Sequence, residues 1–172
     1  MGIFNWKRKV RAETVEPEAS DVLLRALVGS EELTKKQALE IPEVSACIDL
    51  IAGTVASMPI KLYVQKDAEV KEVKKDRRLR LLNKDTGDTL TAKQFWKAII
   101  EDYYLDKGGY AYINTTKSLH YVEAAYVNPV KNEDPIFKDY NLYVHDKAYY
   151  PWEFLKILRK TKAGCTSVSL LY

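Results

Sequence analysis

The sequence predicts an α+β fold, with mixed short strands and hairpins packed against two main amphipathic helices. Three observations carry that expectation. Residues 42–57 place apolar side chains at steps of three and four and then stop at Met58-Pro59. Thr91-Ala-Lys-Gln94 has the form of a capping box and opens a second helix. Beyond Gly108-Gly109 the chain passes into short, tyrosine-rich segments of alternating polarity. Most of the twelve tyrosines lie there, against only four phenylalanines in the whole chain, so the C-terminal half is expected to be the more sheet-rich.

At 172 residues the default is one principal domain with a real core. A net charge of +3 is too small to argue for nucleic-acid binding from the field of the whole molecule. Cys47 and Cys165 are far apart in sequence and are read as reduced thiols. No apolar run approaches a membrane span. The basic start, Met1 to Arg11, is not followed by the apolar segment of a signal peptide, and Trp6 stands where myristoylation needs Ser or Thr.

Residues 1–32 are expected to form a flexible N-terminal arm. A basic block, Lys7, Arg8, Lys9 and Arg11, precedes an acidic one, Glu13, Glu16, Glu18 and Asp21. Ile3, Phe4 and Trp6 are candidate anchors on a partner, although a solvated tail is the plainer reading. Residues 33–172 are expected to form one domain. A short helix through Leu33 and Leu39 leads into the main one.

The helix at 42–57 begins with Pro42, whose missing N–H costs nothing in a first turn. Glu40 and Glu43 lie near the positive end of its dipole. Val44, Cys47, Ile48, Ile51 and Val55 share one face and are expected to be its buried stripe, while Ala46, Ala52 and Ala56 would let a neighbour approach closely. On this reading no segment is more committed to the core, and Ile51→Asp should prevent folding. Ile60, Leu62 and Val64 then alternate with polar residues, as in a strand with one buried face.

Lys66 to Glu69 reads as a turn into a charged returning strand with Val70 and Val73. Asp76 to Asn83 reads as a short helix with Leu79 and Leu82 inward. Seven basic and four acidic residues lie between Lys66 and Arg80. An exposed mixed-charge hairpin is the plainer reading, with a phosphate-binding patch as the alternative. In the second helix, Phe95, Ile99 and Tyr103 form a stripe widened by Trp96 and Ile100, and the helix should end near Asp106 before Gly108-Gly109. Strands follow at Tyr110–Asn114 and Leu119–Val127, with Asn128-Pro129 expected to break the pairing. Tyr140–His145 and Ala148–Tyr150 form a hairpin around Asp146-Lys147. Pro151 to Phe154 turns a corner into a last strand, Leu155–Leu158. Ala163 to Tyr172 reads as an apolar tail that docks onto something or continues into a longer chain.

The residues that bear chemistry do not converge on a reaction. His120 and His145 fall in strand or turn regions and are read as ordinary residues, not general bases. Neither C-x-x-C nor H-E-x-x-H occurs, and Lys107-Gly108-Gly109 lacks the rest of a phosphate loop. Asp85-Thr86-Gly87 resembles the aspartic-protease signature. However, Asn83-Lys84 precede it where an apolar strand is needed, and no second copy shares the proton. It reads as a loop before a capped helix. No residue is assigned a catalytic, cofactor-binding or metal-binding role, and the chain is not read as an enzyme.

Several motifs in a fixed order resemble the portal proteins of long-tailed bacteriophages. Pro42, Val44, Ala46-Cys-Ile48, Ile51-Ala52 and Val55-Ala-Ser57, then Pro59 and Lys61-Leu-Tyr63, are similar to that family's opening signature. Leu81-Leu-Asn83 with Thr91 and Phe95 resembles its next segment. Gly109-Tyr-Ala-Tyr-Ile113 resembles its G-x-A-Y-I strand, and Asn128-Pro-Val130 the turn after the next strand. Tyr150 to Leu158 and Gly164-Cys-Thr are similar to the family's later segments. The resemblance implies a structural role in a homo-oligomeric ring, typically dodecameric, at the capsid vertex through which DNA is packaged and ejected. Implied partners are terminase, capsid or scaffold and head–tail connector proteins, with double-stranded DNA passing through the full-length ring and no membrane. The implied location is the virion or the host cytoplasm. Family members are usually more than twice this long, so residues 33–172 are read as a wing-like N-terminal domain truncated at its C-terminus, from a fragment or a shortened prophage gene. An independent prophage-encoded adaptor without ring assembly is the alternative.

Overall fold

The computed structural model describes residues 33–115, 118–134, 136, 139–161, 164, 165 and 171. The chain divides between Glu32 and Leu33 into two units, and every described element belongs to the second. The expected N-terminal arm and most of the expected apolar tail lie outside the described residues.

Four helices are described: α1 (Lys35–Leu39), α2 (Pro42–Ser57), α3 (Arg77–Asn83) and α4 (Ala92–Leu105). Eight strands are described: β1 (Tyr63–Lys66), β2 (Glu69–Glu72), β3 (Gly109–Ile113), β4 (Leu119–Val122), β5 (Val127–Lys131), β6 (Tyr140–Val144), β7 (Lys147–Tyr149) and β8 (Phe154–Ile157). They form the hairpin β1-β2 and two three-stranded sheets ordered β4-β3-β8 and β5-β6-β7. Every described ladder is antiparallel. The fold class is therefore α+β, with most strands in the C-terminal half.

Local chemistry sets the helix ends. Thr34 caps α1 and Thr91 caps α4, each through a reciprocal box with a glutamine three residues on. In α4 the Gln94 N–H donates to Thr91 Oγ1 at 3.4 Å, and the Thr91 N–H donates to Gln94 Oε1 at 3.0 Å. Asp76 caps α3 by accepting from the Arg78 N–H at 2.8 Å. The helix α2 has no side-chain cap; Pro42 opens it and Met58-Pro59 closes it.

The core is organised around α4. Phe95 and Ile99 are buried with Ala111 and Leu119, joining the helix to the β4-β3-β8 sheet. Tyr110, Ala124, Val127, Leu142 and Phe154 form a second cluster shared by the two three-stranded sheets. Ala38, Ile48 and Leu105 form a third, where α1 and α2 meet the end of α4. Gly109 makes the strand-on-helix contact possible: a Cβ there would lie 2.7 Å from the Ile99 carbonyl oxygen and 2.6 Å from its Cγ2.

Three expectations are corrected. The buried face of α2 is not the predicted stripe. Ile48 and Ala52 are buried, whereas Cys47, Ile51 and Val55 are exposed, Ile51 by 37%. The helix turns its small side to α4: Ala52 is buried, Gly53 faces Lys97 Cε, and Lys97 Nζ reaches Asp49 Oδ1 at 3.0 Å. Close approach along small residues outweighed burial of the larger stripe, and α4, not α2, is the most buried helix. Second, Ile60, Leu62 and Val64 do not make a half-buried strand. The strand β1 starts only at Tyr63, and both strands of its hairpin are exposed throughout. Third, the strand expected over Leu119–Val127 ends at Val122, a 3₁₀ turn over Ala124–Tyr126 follows, and Asn128-Pro129 does not break a pairing. Pro129 lies within β5 opposite Leu142, and β5 is the edge of its sheet, where a missing N–H costs no ladder bond.

Candidate functional site

The densest polar constellation surrounds Asp102. This residue lies on the apolar stripe of α4, seven residues after Phe95 and three after Ile99, and is fully buried. The stripe was expected to end on Tyr103; the structure has Asp102 in the interior and leaves Tyr103 half-buried. Lys35 Nζ donates to Asp102 Oδ1 at 2.6 Å. The Tyr121 hydroxyl and the Ala124 N–H donate to Oδ2 at 2.7 and 3.3 Å. All three partners are donors, so the carboxyl acts as an ionised acceptor. Burial pushes it above the usual carboxylate range, against the opposing pull of Lys35 and Tyr121. Burial disfavours the Lys35 ammonium too, but hydrogen bonds to Asp102 and to Glu101, 2.8 Å away, outweigh it and raise that group. Burial and the neighbouring carboxylate push the Tyr121 hydroxyl up, so it stays a donor. The cluster ties α1, α4, β4 and the 3₁₀ turn Ala124–Tyr126 together. It acts as a structural lock on these elements. A carboxylate at helical spacing on an apolar face was the sequence signal for it.

A second constellation has the connectivity of a serine relay. Ser118 Oγ lies 2.8 Å from His120 Nε2, and His120 Nδ1 lies 3.2 Å from Asp88 Oδ2. Catalysis by such a trio also needs N–H donors at the developing oxyanion. Two neighbouring amides are engaged elsewhere: the Leu119 N–H donates to the Thr86 carbonyl and the Gly87 N–H to Asp85 Oδ1, each at 2.9 Å. The trio therefore clamps the loop before α4 against the β3–β4 turn. Ser118 and His120 stand two apart in extended chain, so their proximity is local; Asp88 comes from another element, and no sequence signal joins it to them.

Asp85-Thr86-Gly87 is part of the same clamp. Thr86 is fully buried and its hydroxyl donates to the Leu90 carbonyl at 2.7 Å. Asp85 closes a turn on Gly87, whose φ of +75° suits glycine. His145 sits in the β6–β7 turn at φ +51°. Cys47 is exposed and Cys165 buried, and neither is in a disulfide. Among the described residues, no three His, Cys, Asp or Glu side chains are placed to hold a metal, and no helix is long and apolar enough to cross a membrane.

What remains is surface. Cys47, Leu50, Ile51, Val55 and Met58 form a ridge along the side of α2 turned away from α4. Leu50 is 71% and Met58 60% exposed. Tyr63, Val64 and Val70 on the hairpin that follows are exposed as well. Tyr150 and Trp152 stack in parallel, 4.4 Å between ring centroids, and are both exposed. Exposed apolar area of this kind is what protein contact surfaces are built from.

Among curated proteins, none matches the chain. The model of the family described as phage portal protein matches residues 42–158, from the first residue of α2 to just beyond β8. That span includes the first two packing clusters and, of the third, Ile48 and Leu105 but not Ala38, and the family is structural, not enzymatic. The match covers more than half of the chain: the chain belongs to the phage portal protein family.

Proposed function

We propose that this chain is a wing-like portion of a portal subunit, associating with further copies in a ring at the capsid vertex through which DNA is packaged and ejected. In that setting it lies in the virion, next to capsid, terminase and connector proteins, with double-stranded DNA passing through the assembled ring. The family match supports the setting. The single observation that carries subunit contact is the α2 ridge. A soluble monomer gains nothing by turning Leu50, Ile51 and Val55 outward along one helix face and Met58 just past its end, whereas an interface buries them.

Native mass spectrometry of the full chain across a concentration series tests the reading. The expected result is a closed oligomer, near twelve copies, that Leu50→Glu converts to a folded monomer. A wild-type chain that stays monomeric at every concentration would remove self-assembly through this ridge and favour the adaptor reading.

A further inference from the structure

Residues Lys74 to Asp85 carry six basic and two acidic side chains, whereas the rest of the chain carries 21 basic and 22 acidic. The whole positive excess of the protein therefore lies on α3 and its flanks. Among the described residues, Lys74, Lys75 and Arg80 make no ion pair. Asp76 holds Arg78 in a fork, with Nε and Nη2 at 3.0 and 2.8 Å from its two carboxylate oxygens, which fixes that guanidinium at the first turn.

Beside α3, at the end of the β4-β3-β8 sheet, lies an open groove of about 700 Å³. Its lining sets Lys75, Arg77 and Arg78, with Asp76 among them, beside an apolar floor that includes Ile113, Leu119 and Leu155. Ile113 is 42% exposed, so apolar surface lies open to water beside a group of three cations and one carboxylate, net positive. A nucleic-acid backbone would use the cations and waste the floor. A small ligand needs buried polar groups that orient it, and Ser118, the uncharged polar residue of this wall, is engaged with His120. An amphipathic peptide uses both features, laying apolar side chains on the floor and carboxylates against the rim.

We propose that the α3 groove binds an acidic amphipathic segment of a partner protein. The groove is built from other elements than the α2 ridge, so ring assembly can fail while this binding persists, and the reverse.

The test is fluorescence anisotropy with the full-length chain and a labelled helical peptide bearing leucines three and four residues apart and glutamates elsewhere. A lysine-for-glutamate counterpart and a DNA duplex serve as the competing ligands. The glutamate peptide should bind at least about tenfold tighter than the lysine peptide. Ile113→Glu and Lys75→Glu should each weaken it about tenfold or more with the far-ultraviolet spectrum unchanged. The Lys75→Glu loss should shrink as salt rises. Equal affinity for the two peptides would overturn the proposal. So would binding indifferent to Ile113→Glu, or a DNA duplex that binds more tightly than the peptide and depends on Lys75 but not on Ile113.

Discussion

Asp102 shows what a single buried charge demands. It sits among apolar neighbours on α4 and is tolerated because Lys35, Tyr121 and the Ala124 N–H all donate to it. Lys35→Met keeps most of the stem and removes the charge. It should cost on the order of 3 kcal/mol at neutral pH, because the carboxylate is left uncompensated. Burial raises the Asp102 carboxyl, so the variant's folded state takes up a proton more readily than its unfolded chain does. The deficit should therefore narrow as pH falls from 7 towards the ordinary carboxylate value of about 4. At the other end, the raised Lys35 favours the folded wild type below the ordinary lysine value of about 10.4, and that advantage is lost as pH climbs through the raised value. Urea titrations of both proteins across pH check this; a gap equal at pH 7 and 5 would contradict it. Ile51 offers the opposite case. At 37% exposure it tolerates aspartate, so Ile51→Asp should melt close to the parent, whereas Ile99→Asp, fully buried, should not fold. Circular dichroism separates the two.

Among the elements, α4 joins the parts and its ends are chemically fixed. Replacing the cap, Thr91→Ala, should cost about 1 kcal/mol, read as a lower urea midpoint at unchanged m-value. Gly109→Ala should cost more, about 1–3 kcal/mol, because the new methyl meets the Ile99 carbonyl and cannot be absorbed by a side-chain rotation. If Gly109→Ala proves neutral, β3 does not lie in close contact with α4. The hairpin β1-β2 is at the other extreme. With all eight strand residues exposed, an isolated pair of strands has little to hold it in water. Its amides should exchange fastest among the described strands and become protected when copies associate, if the hairpin joins the interface.

For the whole molecule, the decisive feature is how unevenly apolar and charged surface is distributed. The interior clusters join α4 to the sheets, while α2 presents a second apolar side to the outside. Leu50→Glu should leave the melting temperature within about 2 °C of the parent, since Leu50 is already 71% exposed, yet shift the oligomer distribution towards monomer. A large loss of thermal stability in the monomeric range would instead place Leu50 in the fold's own core. The positive face around α3 is a separate matter, and its peptide binding should be unaffected by Leu50→Glu.

Taken alone, the sequence determined whatever depends on neighbours along the chain. The capping box at Thr91, the Pro59 stop, the hairpin at 140–149 and the α+β class were legible because caps, breakers and alternation act within a few residues. The order of short motifs was enough to reach the family. Which face of α2 is buried was not legible, because two apolar sides compete and the choice depends on how closely Ala52 and Gly53 let α4 approach. Nor could Asp102 be paired in advance with Lys35, 67 residues away, or Asp88 with His120, since those partners meet only once the helices and sheets have packed. Periodicity identifies an amphipathic face; only the shape of the neighbouring element decides whether that face turns to the core or to a partner.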